Sequence, residues 1–407
     1  MRVSVINIGC KVNQYESDSI IRALAERGHS VYDSFVEADA YIINTCAVTS
    51  EAERKSRQSI SRAKRLNPDA IIYITGCASE NNPAQFIKDG VKYVSGTAGK
   101  GKLKLFEELT GSAVEPIPGV YEDDFRPLSL RTRNYVKVQD GCDSYCSYCV
   151  LPYLRGRSRS RDIESIKREI IENSGTETVL TGINLSSYGK DTGSSLSALL
   201  ANIKGLTGRL RLGSLEVNII DDGLLTILKE MKEFCPHFHL SLQSGDDKIL
   251  KDMNRRYTTA AYLYKCDLIR KYFPLAAITT DLIVGFPTED DKAFNNTLDF
   301  VMQVGFSDMH IFPYSRRAGT KAYPLKPLEK SVLRDRVRIV SAIRDEMRTD
   351  YNSKFIGKPL KVLIEEKNQG LYEGYSENYI KVYVNNAGLK EIISVYPAQI
   401  YKEGLKE

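Results

Sequence analysis

The chain has 407 residues, of which 42% are hydrophobic and 27% charged, and its formal net charge is +5. Such a composition fits two or three globular domains with sizeable cores and excludes a disordered or low-complexity polypeptide. There is no apolar run of about 18 residues to suggest a transmembrane helix, and MRVSVINIGCKVNQYESD at the start lacks the apolar segment and cleavage site of a signal peptide, so a cytoplasmic, membrane-free protein is expected.

In chain order, VSVINI (3–8) is predicted as a strand and 13–28 as a helix, with Asn13 as N-cap and Gly28 as the stop. A strand follows over 40–44, a helix over 50–66 and a strand over 70–75. Strand–helix alternation predicts a doubly wound parallel sheet over a first domain, 1–105. Cys10, Cys46 and Cys77 each fall just past one of these three strands. The carboxyl edge of an open parallel sheet is where such folds bind ligands, so the three thiols are expected to converge there. In a reducing cytosol, eight cysteines point to metal or catalysis more than to disulfides.

Residues 106–131, with Gly111, Pro116, Pro118, Gly119 and Pro127, read as a connector. No stable element is expected there beyond a short helix near 102–109. A second series begins near 132, with apolar strand segments at 134–138, 178–182, 209–216, 237–244, 275–286 and 306–314. Helical patterns separate them. Six such units over 132–352 predict a partial (β/α)6 barrel with its chemistry at the carboxyl ends of the strands. A charged helix over about 327–352 closes this region. Residues 353–407 read as a small antiparallel β-barrel of short strands and Gly/Asn turns. Tyr372, Tyr375, Tyr379 and Tyr383 there are candidates for stacking on bases. Seven Lys/Arg balance seven Asp/Glu over 355–407, which weakens a purely electrostatic case for nucleic acid.

The first strand of the barrel series runs into QDGCDSYCSYCVLPYLRGRSRSR (139–161). Between Arg126 and Arg168 ten Lys/Arg face four Asp/Glu, so much of the positive excess surrounds this loop. Such a patch is a footprint for phosphate. Arg155, Arg157, Arg159 and Arg161 recur at every second position, which on an extended chain would put all four on one side. The loop carries three cysteines, Cys142, Cys146 and Cys149. A closed zinc site takes four ligands, and the nearest histidine in sequence, His237, is far away. An iron–sulfur cubane held by three thiolates leaves one iron open for a small molecule. A zinc site completed by a distant residue stays open as the alternative.

The CxxxCxxC spacing, directly after a strand in a six-fold βα series, resembles the radical S-adenosylmethionine (SAM) superfamily. The resemblance implies a [4Fe–4S] cluster at Cys142, Cys146 and Cys149 whose open iron chelates SAM, with Tyr148 near the adenine. GCKVNQYES, NTCAVT, TGCASE, LPYLRGRSRSR, LQSGDDKILKDMNRRYT, DLIVGFPTEDD and YSRRAGT, in order along the chain, resemble the methylthiotransferases. The C-terminal segment resembles the TRAM domain, an RNA-binding barrel. This implies a second, auxiliary [4Fe–4S] cluster on Cys10, Cys46 and Cys77.

Thr181, Gly182 and Asn184 stand where many superfamily members carry a Gly-Gly-Glu segment for the SAM amino group, a pattern from which this chain departs. Ser214 and Glu216 are expected at the SAM ribose or carboxylate, and Gln243, Ser244 and Asp281 at the same mouth. The four arginines are expected to meet tRNA phosphate or the SAM carboxylate. Cys235 and Cys266 are expected to be structural thiols, and the four histidines are given no role. GCKVNQYE and YEGYSENYI resemble the branch that acts on N6-threonylcarbamoyladenosine (t6A) at tRNA position 37. The resemblance implies methylthiolation at C2, a tRNA anticodon loop as partner, and a reductant such as flavodoxin or ferredoxin. The alternatives are isopentenyladenosine tRNA, ribosomal protein S12, a non-catalytic RNA-binding metalloprotein, and an electron-transfer iron–sulfur protein.

Overall fold

The computed structural model describes residues 1–87, 90–100, 103, 108–122, 131–173 and 175–407. The short helix expected near 102–109 falls largely outside these residues, as do Arg126 and Pro127.

The N-terminal region is a six-stranded parallel sheet. Its strands are β1 (Arg2–Asn7), β2 (Ser30–Tyr32), β3 (Ala40–Thr45), β4 (Ile71–Gly76), β5 (Val91–Ser95) and β6 (Gly111–Ala113), in the spatial order β2-β1-β3-β4-β5-β6. β3 is buried at all six positions, which is what a central parallel strand covered on both faces requires. β6 corrects the expectation that the connector carries no element, since its Gly111–Ala113 extend the sheet beside Tyr93–Ser95. The helices are α1 (Lys11–Ala25), α2 (Ser50–Leu66) and the short α3 (Cys77–Asn81). α2 starts where the sequence says it should. The Thr49 side chain accepts from the Ala52 amide, Glu51 and Glu53 sit in the first turn, and Lys64 and Arg65 in the last.

α1 departs from expectation. It begins at Lys11, and its cap position, Cys10, makes no side-chain cap bond. Asn13 does not cap it because its amide is used elsewhere, donating to the Thr45 carbonyl at 2.9 Å. α1 also buries Asn13, Glu16, Ser17 and Asp18, a polar face that would point to water on an ordinary surface helix. That face meets the second domain.

The central region carries β7 (Arg133–Asp140), α4 (Leu151–Arg155), β8 (Arg159–Ser160), α5 (Ile163–Glu172), β9 (Glu177–Gly182), α6 (Leu196–Ile203), β10 (Leu210–Leu212) and α7 (Asp222–Glu230). It continues with β11 (His237–His239), α8 (Asp247–Asp252), α9 (Thr259–Tyr272), β12 (Ala277–Val284), α10 (Asp291–Val304), β13 (Asp308–Pro313) and α11 (Lys330–Ser353). β7, β9 and β10 pair in parallel, and so do β11, β12 and β13. Parallel bridges Leu210–Phe234 and Leu215–Leu240 join the two groups. The result is the six-strand parallel series expected for a partial barrel, with the antiparallel β8 added outside β7.

The C-terminal region is a six-stranded sheet in the order β17-β14-β15-β16-β19-β18. It is built from β14 (Leu360–Asn368), β15 (Leu371–Ser376), β16 (Lys381–Val384), β17 (Ile392–Val395), β18 (Gln399–Tyr401) and β19 (Gly404–Lys406). It is antiparallel except for the β16–β19 pairing. Val362, Ile364, Val382, Val384, Val395 and Leu405, from four of its strands, share one core with Tyr351 and Phe355 from the end of α11 and the turn after it. Arg211 fastens this sheet to the barrel by donating to the Ser376 and Glu377 carbonyls, each at 3.1 Å. Among the described residues no helix is long and apolar enough to cross a membrane.

Candidate active site

Cys10, Cys46 and Cys77 follow β1, β3 and β4, which are neighbours in the sheet. The three thiols therefore meet at one carboxyl edge. Burial pushes the Cys46 thiol up to about 12, with Cys77 and Cys10 adding to the rise. Cys10 is raised as well, by burial first, with Arg155 opposing. Gly76, in front of Cys77, has φ +108°, and a side chain there would strike the Thr45 backbone. The turn that presents Cys77 therefore needs glycine.

Behind this edge lies a buried charge network. Glu16 of α1 is bound by Lys100, by Lys137 of β7 at 2.9 Å and by Arg155 at 2.6 Å. Asp140 is bound by Lys137 at 2.6 Å, Arg155 at 3.2 Å and Arg159 at 3.8 Å. Burial resists ionisation of Glu16, but Arg155, Lys100 and Lys137 overcome it and hold its carboxyl well below the usual range. Among the described residues, four cations here are paired with the carboxylates of Glu16 and Asp140. Burial lowers the Lys100 ammonium in spite of Glu16. Arg155 reaches out of the network, donating from Nε to the Cys77 sulfur at 3.4 Å. Thiolates at Cys10, Cys46 and Cys77 would add negative charge beside these cations, and buried charges persist only when balanced.

The second set of cysteines lies on the loop after β7. Cys142, Cys146 and Cys149 line a cavity of about 120 Å³ together with Tyr148, Asn184, Ser214, Glu216, Gln243 and Arg255. Burial pushes the Cys149 thiol up to about 12, with Cys146 and Cys142 adding to it. Arg255 Nη1 donates to the Cys146 sulfur at 3.4 Å and Asn184 Nδ2 to the Cys142 sulfur at 3.7 Å. Ser144, at 3.0 Å, and Asn184, at 3.4 Å, both donate to the Glu216 carboxylate. Gly141 has φ +75°, and a side chain there would strike the Arg157 carbonyl. Gln243 is held at φ 72°, a conformation uncommon for non-glycine residues.

Both triads fit a polynuclear cluster better than a single ion. A tetrahedral zinc with Zn–S of about 2.3 Å would bring its thiolates to about 3.8 Å from one another. Among the described residues, the one group of three ligating side chains with donor atoms within 4.8 Å is His239, Asp281 and His310. In neither cysteine triad do all three sulfurs lie within 4.8 Å of one another, which leaves room for a cluster with thiolates on separate irons. Each triad also has an arginine donor at one sulfur, and such bonds tune cluster potential.

A larger cavity of about 580 Å³ lies between the three regions, with Cys10, Thr181, Gly182, Ser214, Asp281 and Tyr379 among its walls. Ser214 lines both cavities, so they adjoin. A chain of hydrogen bonds crosses the larger one. His237 Nε2 and His239 Nδ1 meet the Thr279 hydroxyl at 2.8 and 2.9 Å. His239 Nε2 and His310 Nδ1 meet the two oxygens of Asp281, each at 3.2 Å.

Several sequence expectations move. Thr181 and Gly182 line the larger cavity and not the one holding the Cys142 loop. Ser244 lines neither, since its buried hydroxyl turns to Thr297 at 3.4 Å. The four arginines do not share a side. Arg155 ends α4 and is buried, Arg159 is buried beside Asp140, and Arg161 is buried against Glu169. Arg157 alone is on the surface, with its side chain 85% exposed. It donates to Asp143 at 3.2 Å, and of the four it is the one exposed to a phosphate. Tyr379 stacks on His237 at 4.6 Å and Tyr375 at 4.8 Å, so both tyrosines serve the domain interface. Tyr383 is buried and bonded to Glu403. Tyr372 is partly buried, with Lys367 donating to its hydroxyl. Cys235 and Cys266 are buried core thiols. The sequence reading missed Arg255, the buried role of Arg155, and His237, His239 and His310.

The fold and the three-cysteine loop define a radical SAM protein, and the comparisons agree. Residues 136–301 match the Radical SAM superfamily model, and residues 2–96 match the model described as Uncharacterized protein family UPF0004. A "Threonylcarbamoyladenosine tRNA methylthiotransferase MtaB" of Aquifex aeolicus is 38% identical, over 96% of this chain and 98% of its own length. Its namesake from Thermotoga maritima is 37% identical, over 99% and 96%. A "tRNA-2-methylthio-N(6)-dimethylallyladenosine synthase" of Thermoanaerobacter is 33% identical, over 88% and 80%. The solved radical SAM methyltransferase TsrM of Kitasatospora setae shares the fold, with TM-score 0.56 at 15% identity, over 79% of this chain and 74% of that one. The chain belongs to the radical SAM methylthiotransferases, in the MtaB branch. The radical SAM family works with a [4Fe–4S] cluster and SAM.

Proposed function

We propose that this enzyme installs a methylthio group at C2 of t6A at position 37 of tRNA, giving 2-methylthio-N6-threonylcarbamoyladenosine. One observation carries the reading. The 580 Å³ cavity has Cys10 of the first triad on its wall and shares Ser214 with the pocket of the second. A base seated there would lie between both sets of thiols. The names of the full-length relatives supply the substrate.

An adenine C2–H has no acidic proton, so the side chains alone cannot activate it by acid–base catalysis. A cluster held by Cys142, Cys146 and Cys149, with SAM bound, supplies reductive cleavage to a 5′-deoxyadenosyl radical. Cys10, Cys46 and Cys77 would hold an auxiliary cluster, which would supply the sulfur-transfer chemistry. Tyr148 bounds the adenine side of the SAM pocket. Asn184, Ser214, Glu216 and Gln243 present polar groups to SAM, and Arg255 anchors Cys146 and Glu216. Thr181 and Gly182 shape the passage between the cavities. Buried His237 and His239 form part of the wall that would shield the reacting base from bulk water. Arg157 and the C-terminal TRAM-like sheet contact the anticodon stem-loop. A flavodoxin- or ferredoxin-class protein supplies electrons in the cytoplasm.

The test is mass analysis of tRNA nucleosides after reaction with SAM and a reductant. tRNA bearing t6A is expected to yield its 2-methylthio derivative, and tRNA bearing isopentenyladenosine to stay unchanged. Methylthiolation of the isopentenyl substrate alone would overturn the substrate assignment.

A further inference from the structure

The charges that line the larger cavity nearly cancel. Asp281 is bonded to His239 and His310. Asp308 faces Arg348 at 3.9 Å, and Glu403 faces Lys381 at 3.0 Å. Lys11, at the first turn of α1, has no carboxylate within 4.0 Å among the described residues and lines the cavity together with His310. His237 lines the same cavity as Lys11 and His310. The cation felt at the neighbouring Cys10 thiol is Arg155. Nor does Lys11 line the pocket around Cys142, so the SAM carboxylate is not its partner. An unpaired ammonium inside a cavity is a ready counter-charge for an anionic group on whatever enters.

We propose that the Lys11 ammonium binds the threonine carboxylate of the t6A side chain and is a specificity-determining contact of this enzyme. The inference rests on the t6A reading above. It adds the residue that separates an acidic N6 substituent from an apolar one. The threonylcarbamoyl group carries one negative charge, and the isopentenyl group carries none. A carboxylate in this cavity gives Lys11 a partner. An apolar group there would leave Lys11 desolvated and unpaired, which costs most where water is excluded. Lys11 is exposed on the cavity wall in the free protein, so the penalty for an uncharged substituent arises only when the bound base covers it.

The experiment uses two anticodon stem-loop RNAs, one bearing t6A and one bearing the same nucleoside with its carboxylate replaced by carboxamide. The kcat/KM ratio, acid over amide, is measured within each protein, so differences in cluster loading cancel. The intact enzyme is expected to favour the acid by about 10- to 100-fold, the worth of one charge-assisted hydrogen bond. Lys11→Met is expected to bring the ratio close to one, and Lys11→Arg to keep most of it. A Lys11→Met enzyme that retains the full ratio would overturn the inference. So would an intact enzyme that takes both RNAs equally, although the t6A reading would then survive. Turnover of neither RNA by an intact, iron-loaded enzyme would overturn the t6A reading itself.

Discussion

Cys142→Ala is expected to reduce 5′-deoxyadenosine formation to background, whereas Cys77→Ala is expected to preserve it and eliminate methylthiolation. The split follows from placement. Cys142, Cys146 and Cys149 share one loop after β7, and Cys10, Cys46 and Cys77 come from three strand tips of another sheet. Removing one of three thiolates leaves a cubane with two protein ligands, too few to hold it in place. Nothing else on either wall can supply radical chemistry, so the loss in each case is complete and not graded. The readouts are 5′-deoxyadenosine by chromatography and modified nucleoside by mass. 5′-Deoxyadenosine from the Cys142 variant, or methylthiolated nucleoside from the Cys77 variant, would contradict the assignment.

The second large effect is expected from Arg155→Ala. Arg155 is bonded to Glu16 of the N-terminal domain, to Asp140 of the barrel and to the Cys77 sulfur. Its side chain is 1% exposed. Its Nη2 also donates to Asn13 at 2.7 Å. Truncation strips these acceptors of a donor and opens a cavity, at a cost of roughly 3–5 kcal/mol. It also takes a positive charge from behind the first triad, which makes thiolates there harder to form. The expected result is a clear fall in melting temperature together with loss of iron from the first triad only. Arg155→Lys keeps the charge but not the bidentate grip, so it should recover part of the iron. An Arg155→Ala protein with full iron and unchanged melting would contradict the account.

The sequence carried the scaffold well because apolar runs and their spacing determine parallel strands. Cys10, Cys46 and Cys77 could be placed at strand tips without coordinates, since each follows such a run. The arginines were misread because every-second-residue spacing implies one face only on an extended chain. Arg155 instead closes a helix, and Gly156, at φ +69°, turns the chain before Arg159. The histidine chain was invisible for another reason. His239, Asp281 and His310 lie on β11, β12 and β13 and meet only through strand register. Asn13 looked like a cap because local pattern shows a polar residue before a helix. It does not show that the side chain is claimed by Thr45 and Arg155. Tyr375 and Tyr379 looked free to stack on bases until domain docking placed His237 and Arg133 against them.

The most direct test of the central claim, two open three-cysteine clusters in one chain, is iron and acid-labile sulfide per chain on anaerobically prepared protein, with zinc measured alongside. The account predicts about eight irons and about eight sulfides, one cubane per triad. Stoichiometric zinc without iron would contradict it and leave the cysteines as structural metal ligands.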